Sequence, residues 1–188
     1  KNTFQTNFHK DIFSDYFEQL DIKYNFTDYQ HWEFENNSNN SQVSLAKKTH
    51  NLKVELESSN SIIGSELIYK DFIPGGLYFT PETEEIYFSL YGYNQQTLNN
   101  FDLLSSLRIG HLSIKPDLNY IDYNNIDEEK VENRQFDLIS SSLGVKKYFE
   151  KFELNTWIMQ TMRGPKVEEL YSDGPHLGTY SYEIGNPD

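Results

Sequence analysis

Apolar and polar side chains alternate along most of this chain. In Leu20–Thr27 (LDIKYNFT), Leu20, Ile22, Tyr24 and Phe26 fall on one face and Asp21, Lys23, Asn25 and Thr27 on the other. Asn51–Glu57 sets Leu52, Val54 and Leu56 against Lys53, Glu55 and Glu57. Glu85–Tyr93 sets Ile86, Phe88 and Leu90 against Tyr87, Ser89, Tyr91 and Tyr93. Phe101–Ile109 and Ile139–Lys146 repeat the pattern, with Arg108, Ser140 and Ser142 on the polar side, and Phe152–Thr161 is more mixed. A period of two over this many segments predicts antiparallel strands with one apolar and one polar face. No amphipathic helix longer than two turns is expected. Val43 and Leu45 break phase with Leu52, Val54 and Leu56, so that strand is expected to carry a bulge or to start late.

The connections also alternate. Short ones are expected around Ser58–Ser61, Asn94–Asn100 and Tyr148–Lys151. Longer polar ones are expected at Asp28–Gln42, Asp71–Glu85, His111–Arg134 and Arg163–Asp188. All the long loops then lie at one end of the sheet, as in a transmembrane β-barrel built from strands of about 10 residues. A soluble β-sandwich, gripping carbohydrate or protein with its loops, has alternating strands too and is the competing reading.

Composition narrows the choice. The chain has 188 residues, one domain or part of one, with 37% hydrophobic residues, 14 Tyr and 13 Phe. Interfacial girdles of a barrel are one use for so many rings. A net charge of −13 argues against nucleic acid and anionic surfaces as partners and is compatible with cations. The absence of cysteine removes disulfides, thiolate metal sites and a cysteine nucleophile. No apolar run approaches the roughly 18 residues of a membrane helix. With no initiating Met and no signal peptide in view, the chain reads as an internal piece of something longer. No Gly-x-Ser-x-Gly elbow or phosphate loop occurs, so an enzyme is not expected. Pro74–Gly76 reads as a turn, and the pairs Glu128/Glu129 and Glu168/Glu169 as solvated acids.

The closing stretch, RGPKVEELYSDGPHLGTYSYEIGNPD from Arg163 to Asp188, resembles a segment of the TonB-dependent receptor family. The order is Arg-x-Pro, Glu-Glu-Leu-Tyr-Ser, Gly-Pro-His-x-Gly-Thr and Tyr-Glu-x-Gly-Asn-Pro. Upstream, DYQHWEFE (Asp28–Glu35), HNLKVELE, YFTPETEEIYFSLYGY and LRIGHLSIKPD are similar to barrel hairpins of these receptors. Within the family the likeness is nearest to zinc-uptake receptors. The resemblance implies an all-β, antiparallel transmembrane barrel fragment, residues 1–188 supplying about seven or eight strands of a 22-stranded barrel. It implies the outer membrane of a Gram-negative bacterium, active uptake of a metal ion or a metal chelate such as iron–siderophore, and energy from the TonB complex. The implied partners are outer-membrane lipid, the TonB complex and a small ligand. The plug domain, the TonB-contacting segment and a closing strand are not in these 188 residues. A plain porin, without a plug, is a third reading.

The candidate ligand residues are Asp28, His31, Glu33, Glu35 and His176. On an extended strand His31, Glu33 and Glu35 share a face, and His31, Glu33 and His176 suit a borderline divalent ion such as Zn²⁺. No resident cofactor is expected, zinc or an iron chelate being cargo. The plainer alternative is a solvated loop for His31 and a turn-capping role for His176. His111 has a weaker claim, and His9 and His50 have no supporting neighbours in sequence. Trp32 and Phe34 read as girdle residues. Arg163 is expected to fix the closing loop through a carboxylate. PKVEELY is expected to form one helical turn with Pro165 at its first position and Glu168 and Glu169 in that turn.

Overall fold

The computed structural model describes residues 1–12, 14–34, 43–76, 80–117, 131–176 and 181–186. Eight strands follow one another: β1 (Asn2–Asp11), β2 (Gln19–Glu33), β3 (Val43–Glu57), β4 (Ser61–Gly76), β5 (Thr83–Leu98), β6 (Phe101–Pro116), β7 (Arg134–Tyr148) and β8 (Glu153–Gln160). They form one antiparallel sheet in chain order, β1 to β8. A helical turn, α1 (Val167–Tyr171), then leads to a two-stranded ribbon of β9 (Asp173–His176) and β10 (Ser181–Ile184). The expected all-β antiparallel architecture is present. There is no second sheet packed face to face on the first among the described residues, as a sandwich requires.

The strands are longer than their alternation suggested. β2 to β7 each run 15 or 16 residues, where about 9–11 suffice to cross a bilayer. They extend into stretches expected to be loop. The β5–β6 connection shrinks from Asn94–Asn100 to Asn99 and Asn100, with Asn99 at φ 55°. Asparagine tolerates that left-handed conformation better than most side chains. Pro74–Gly76 is not a turn but the end of β4, opposite Leu45, Ser44 and Val43 of β3. β1 was not foreseen, because in NTFQTNFHKD only Phe4 and Phe8 are apolar and they stand four apart.

Register sorts the side chains. Partners across antiparallel strands point to the same face, so Phe8, Ile22, Val54, Ser65, Leu90, Ile109 and Ile139 make one row across seven strands. The next row on that face is Thr6, Tyr24, Leu52, Leu67, Phe88, His111 and Asp137. This apolar face is uncovered: Leu90 is 56% exposed, Ile109 54% and Ile139 51%. The opposite face carries Asn7, Lys23, Lys53, Glu66, Ser89 and Gly110 in one row.

The phase break at Val43 and Leu45 is not a bulge. β3 keeps unbroken pairing with β2 and β4 from Val43 to Glu57. Val43 and Leu45 instead lie on the polar face, where a local apolar cluster sits near the loop end. It joins Val43, Phe72, Leu112, Ile114 and Leu138 from the wall to Val167, Leu170 and Tyr171 of the closing segment. That segment therefore folds over the polar face rather than away from it. Val167, Leu170 and Tyr171 stand at i, i+3 and i+4, one side of a helix, and all are buried. A helix of this length is not stable alone; burial, at about 1.5–3 kcal/mol per large apolar side chain, holds it in place. Tyr171 also donates its hydroxyl to the Glu132 carbonyl at 2.7 Å. Replacing Leu170 with Ala should cost about 2–5 kcal/mol of local stability. Hydrogen exchange should then accelerate at Val167–Tyr171 and stay unchanged in β4 and β5; protection retained throughout would show that α1 is held by something else.

Candidate functional site

The polar face carries a ladder of ion pairs within and between strands, one of which, Arg108–Glu66, skips a strand. Glu55 on β3 receives Lys53 at 2.8 Å, Lys23 at 3.5 Å and the Tyr91 hydroxyl at 2.9 Å. Glu66 on β4 receives Arg108 from β6 at 2.7 Å and the Asn51 amide at 3.0 Å. Arg108 also donates to the Ser89 hydroxyl at 3.3 Å, and its guanidinium lies 4.4 Å from the Tyr91 ring centre. Lys70 and Glu85 pair at 2.8 Å. Each carboxylate here is matched by a cation, so the ladder stiffens the wall and offers little to a free cation.

Glycines make room for these long reaches. Gly64 stands between Glu55 and Tyr91 in one cross-strand row, and a Cβ there would lie 2.5 Å from the Tyr91 ring. The tyrosine crosses β4 only because position 64 has no side chain. Tyr87 over Gly110 and Trp157 over Gly144 repeat the arrangement. Gly64→Val should displace the Tyr91 ring and destabilise the wall by about 1–3 kcal/mol. Thermal unfolding of Gly64→Val, Tyr91→Ala and the double variant measures this, with the second change expected to cost much less once the first is made. Strict additivity would mean that the ring and the glycine are not coupled.

The loop end of β2 carries the residues expected to bind a ligand. His31 and Glu33 share the polar face, with Nε2 of His31 3.4 Å from Oε1 of Glu33. The Tyr29 ring stacks on His31, centres 6.3 Å apart and 10° between planes. Asp28 points to the opposite face by the same alternation, aligned with Lys48 and Asp71. Its Oδ1 is buried with no hydrogen-bond partner. Glu35 lies outside the described residues. His176 pairs through its backbone with Ser181 in the β9–β10 ribbon. Among the described residues, no three His, Asp or Glu side chains are grouped to hold a metal ion. The other histidines have partners that sequence spacing did not reveal: His9 with Asp21 at 3.2 Å, His111 with Asp137 at 2.8 Å, and His50 with the Tyr24 hydroxyl at 2.8 Å. These are cross-strand contacts, visible only once register is known.

No family model matches the chain, and no curated protein matches it. Among solved structures, that of the copper transporter OprC matches with a TM-score of 0.64 and 13% sequence identity. The fold is that of a β-barrel wall. The match takes in 99% of this chain and 33% of OprC, so the chain spans about a third of that protein's length.

Arg163 clamps the closing segment, as its position predicted. Its guanidinium donates two hydrogen bonds to Glu169, both 2.7 Å, and one to the Gly164 carbonyl at 3.2 Å. Glu169 also accepts the Lys166 backbone N–H at 2.9 Å, capping α1. Lys166 is the N-cap and the helix begins at Val167, so Pro165 precedes the cap rather than opening the helix. Burial pushes the Tyr171 phenol up to about 12, so it stays a neutral donor. Hydrogen bonding from Arg163 pulls the Glu169 carboxyl from 4.5 down to about 2. A carboxyl depressed by folding stabilises fully above its unfolded value and loses that contribution as pH falls through the folded one. The clamp should therefore be complete above pH 4.5 and weaken towards pH 2. A carboxyl ¹³C titration should place Glu169 in that low range, and Arg163→Ala should return it towards ordinary values. An unshifted Glu169 in the unmodified protein would rule out the clamp.

Proposed function

We propose that this chain is part of the barrel of a TonB-dependent receptor that carries a metal ion or metal chelate across the outer membrane of a Gram-negative bacterium. One observation carries the reading: an apolar face left uncovered across successive strands, backed by a face of compensated ion pairs. A sheet between lipid and a water-filled lumen has this division. A soluble sandwich buries its apolar face against a second sheet. The fold shared with a copper transporter over nearly the whole chain supports transport as the role. Energy coupling through TonB follows from the resemblance of the closing stretch to that receptor family.

For the cargo, we propose a borderline divalent ion, Zn²⁺ or Cu²⁺, free or chelated. Both accept imidazole nitrogen and carboxylate oxygen. His31 and Glu33, close together at the loop end, form the core of the proposed site, with His176 as the third ligand. Glu35, two residues on in sequence and outside the described residues, is a further candidate, whereas Asp28 stands apart on the other face of β2. Calorimetric titration of the full-length receptor with Zn²⁺ and with Cu²⁺ tests this. His31→Ala and His176→Ala should each weaken binding by about tenfold or more, roughly 1.4 kcal/mol. Affinity unchanged in both variants would eliminate the site.

A further inference from the structure

Beneath the closing segment, against the polar face, lies a cavity of about 450 Å³. This is the size of a small-molecule pocket, which typically spans about 300–1,000 Å³. Its floor is apolar, with Phe72, Leu112 and Leu138 among the lining residues. Its charged lining comes from both sides: Lys47, Lys70 and Glu85 from the wall, and Arg163, Lys166 and Glu168 from the closing segment.

These charges are not all committed. Lys70 is matched by Glu85 at 2.8 Å, and Arg163 by Glu169. Lys47 is half-buried and forms no ion pair among the described residues. Lys166 serves Glu169 through its backbone N–H, and its ammonium acts on the same carboxylate through space, without an ion pair among the described residues. Glu168 can offset one of these two ammonium groups, which leaves one positive charge in surplus. That surplus sits in a chain whose net charge is −13. A surplus cationic charge beside an apolar floor favours a ligand that brings a counter-charge.

We infer that the cavity binds a small organic anion, an apolar or aromatic body bearing a single acidic group, with Lys47 and Lys166 meeting the acid and the Phe72–Leu112–Leu138 floor receiving the body. Neither His31 nor Glu33 lines the cavity, so the inference does not rest on the metal reading. The anion would be held between wall and closing segment, and its binding would tie the two together.

Fluorine NMR on the full-length protein in zwitterionic detergent micelles tests this, using 4-fluorobenzoate and 4-fluorobenzylammonium as probes of equal size and opposite charge. The benzoate should bind, be displaced by unlabelled benzoate, and be preferred over the benzylammonium. Lys47→Glu should weaken benzoate binding by about tenfold or more, while Lys47→Arg should retain it. Lys166→Glu, on the exposed side of the segment, supplies the same test should Lys47→Glu fail to fold. Equal binding of the two probes, no binding of either, or full benzoate affinity in the charge-reversed variants would overturn the inference.

Discussion

Every distinction between the two faces of this sheet depends on the register of its backbone hydrogen bonds. With side chains alternating at each residue, a slip of one position would move a whole strand's apolar set to the other face. Here the register runs without a break along 15 residues of β3 on both of its edges. The same alignment places Leu90, Ile109 and Ile139 side by side and brings Tyr91 within reach of Glu55. Apolar exposure on one face and paired charge on the other are thus two results of one set of hydrogen bonds.

The closing segment depends on that wall. Its helix is too short to persist alone and carries its apolar side chains on one side only. The wall answers with Val43, Phe72, Leu112, Ile114 and Leu138, apolar residues gathered on the face that also carries the ion pairs. Arg163 and Glu169 then lock the entry to the helix with two charge-assisted bonds, stronger than neutral ones. Between the packed helix and the wall remains the cavity, lined by Lys47, which forms no ion pair among the described residues. Segment, cluster and cavity form one device, and it lies on the side of the wall away from the exposed apolar face.

Much of this was legible from residue order. Leu20–Phe26, Leu52–Leu56 and Ile86–Leu90 alternate cleanly and became β2, β3 and β5. The clamp by Arg163 followed from an arginine at a strand end ahead of acidic residues. What escaped did so for identifiable reasons. β1 has too few apolar side chains to show a period, being an edge strand exposed along its length. The phase change at Val43 looked like a bulge because alternation reports which residues share a face, not which face is apolar at a given height. Asp28 seemed to belong with His31 and Glu33 because proximity in sequence says nothing about the odd step between them.

Residue order alone determined that the chain forms antiparallel strands with two unlike faces, because a period of two is a local property of the backbone. It also marked the long connections and the chemistry available on them. Tertiary structure decided which carboxylates are already neutralised, why Gly64 must lack a side chain, and where the closing segment rests. Those outcomes arise between residues far apart in sequence, 42 positions in the Arg108–Glu66 bond and more than a hundred between Val43 and Val167. Only the pairing of strands and the packing of the closing segment bring such residues together, and no local pattern encodes that meeting.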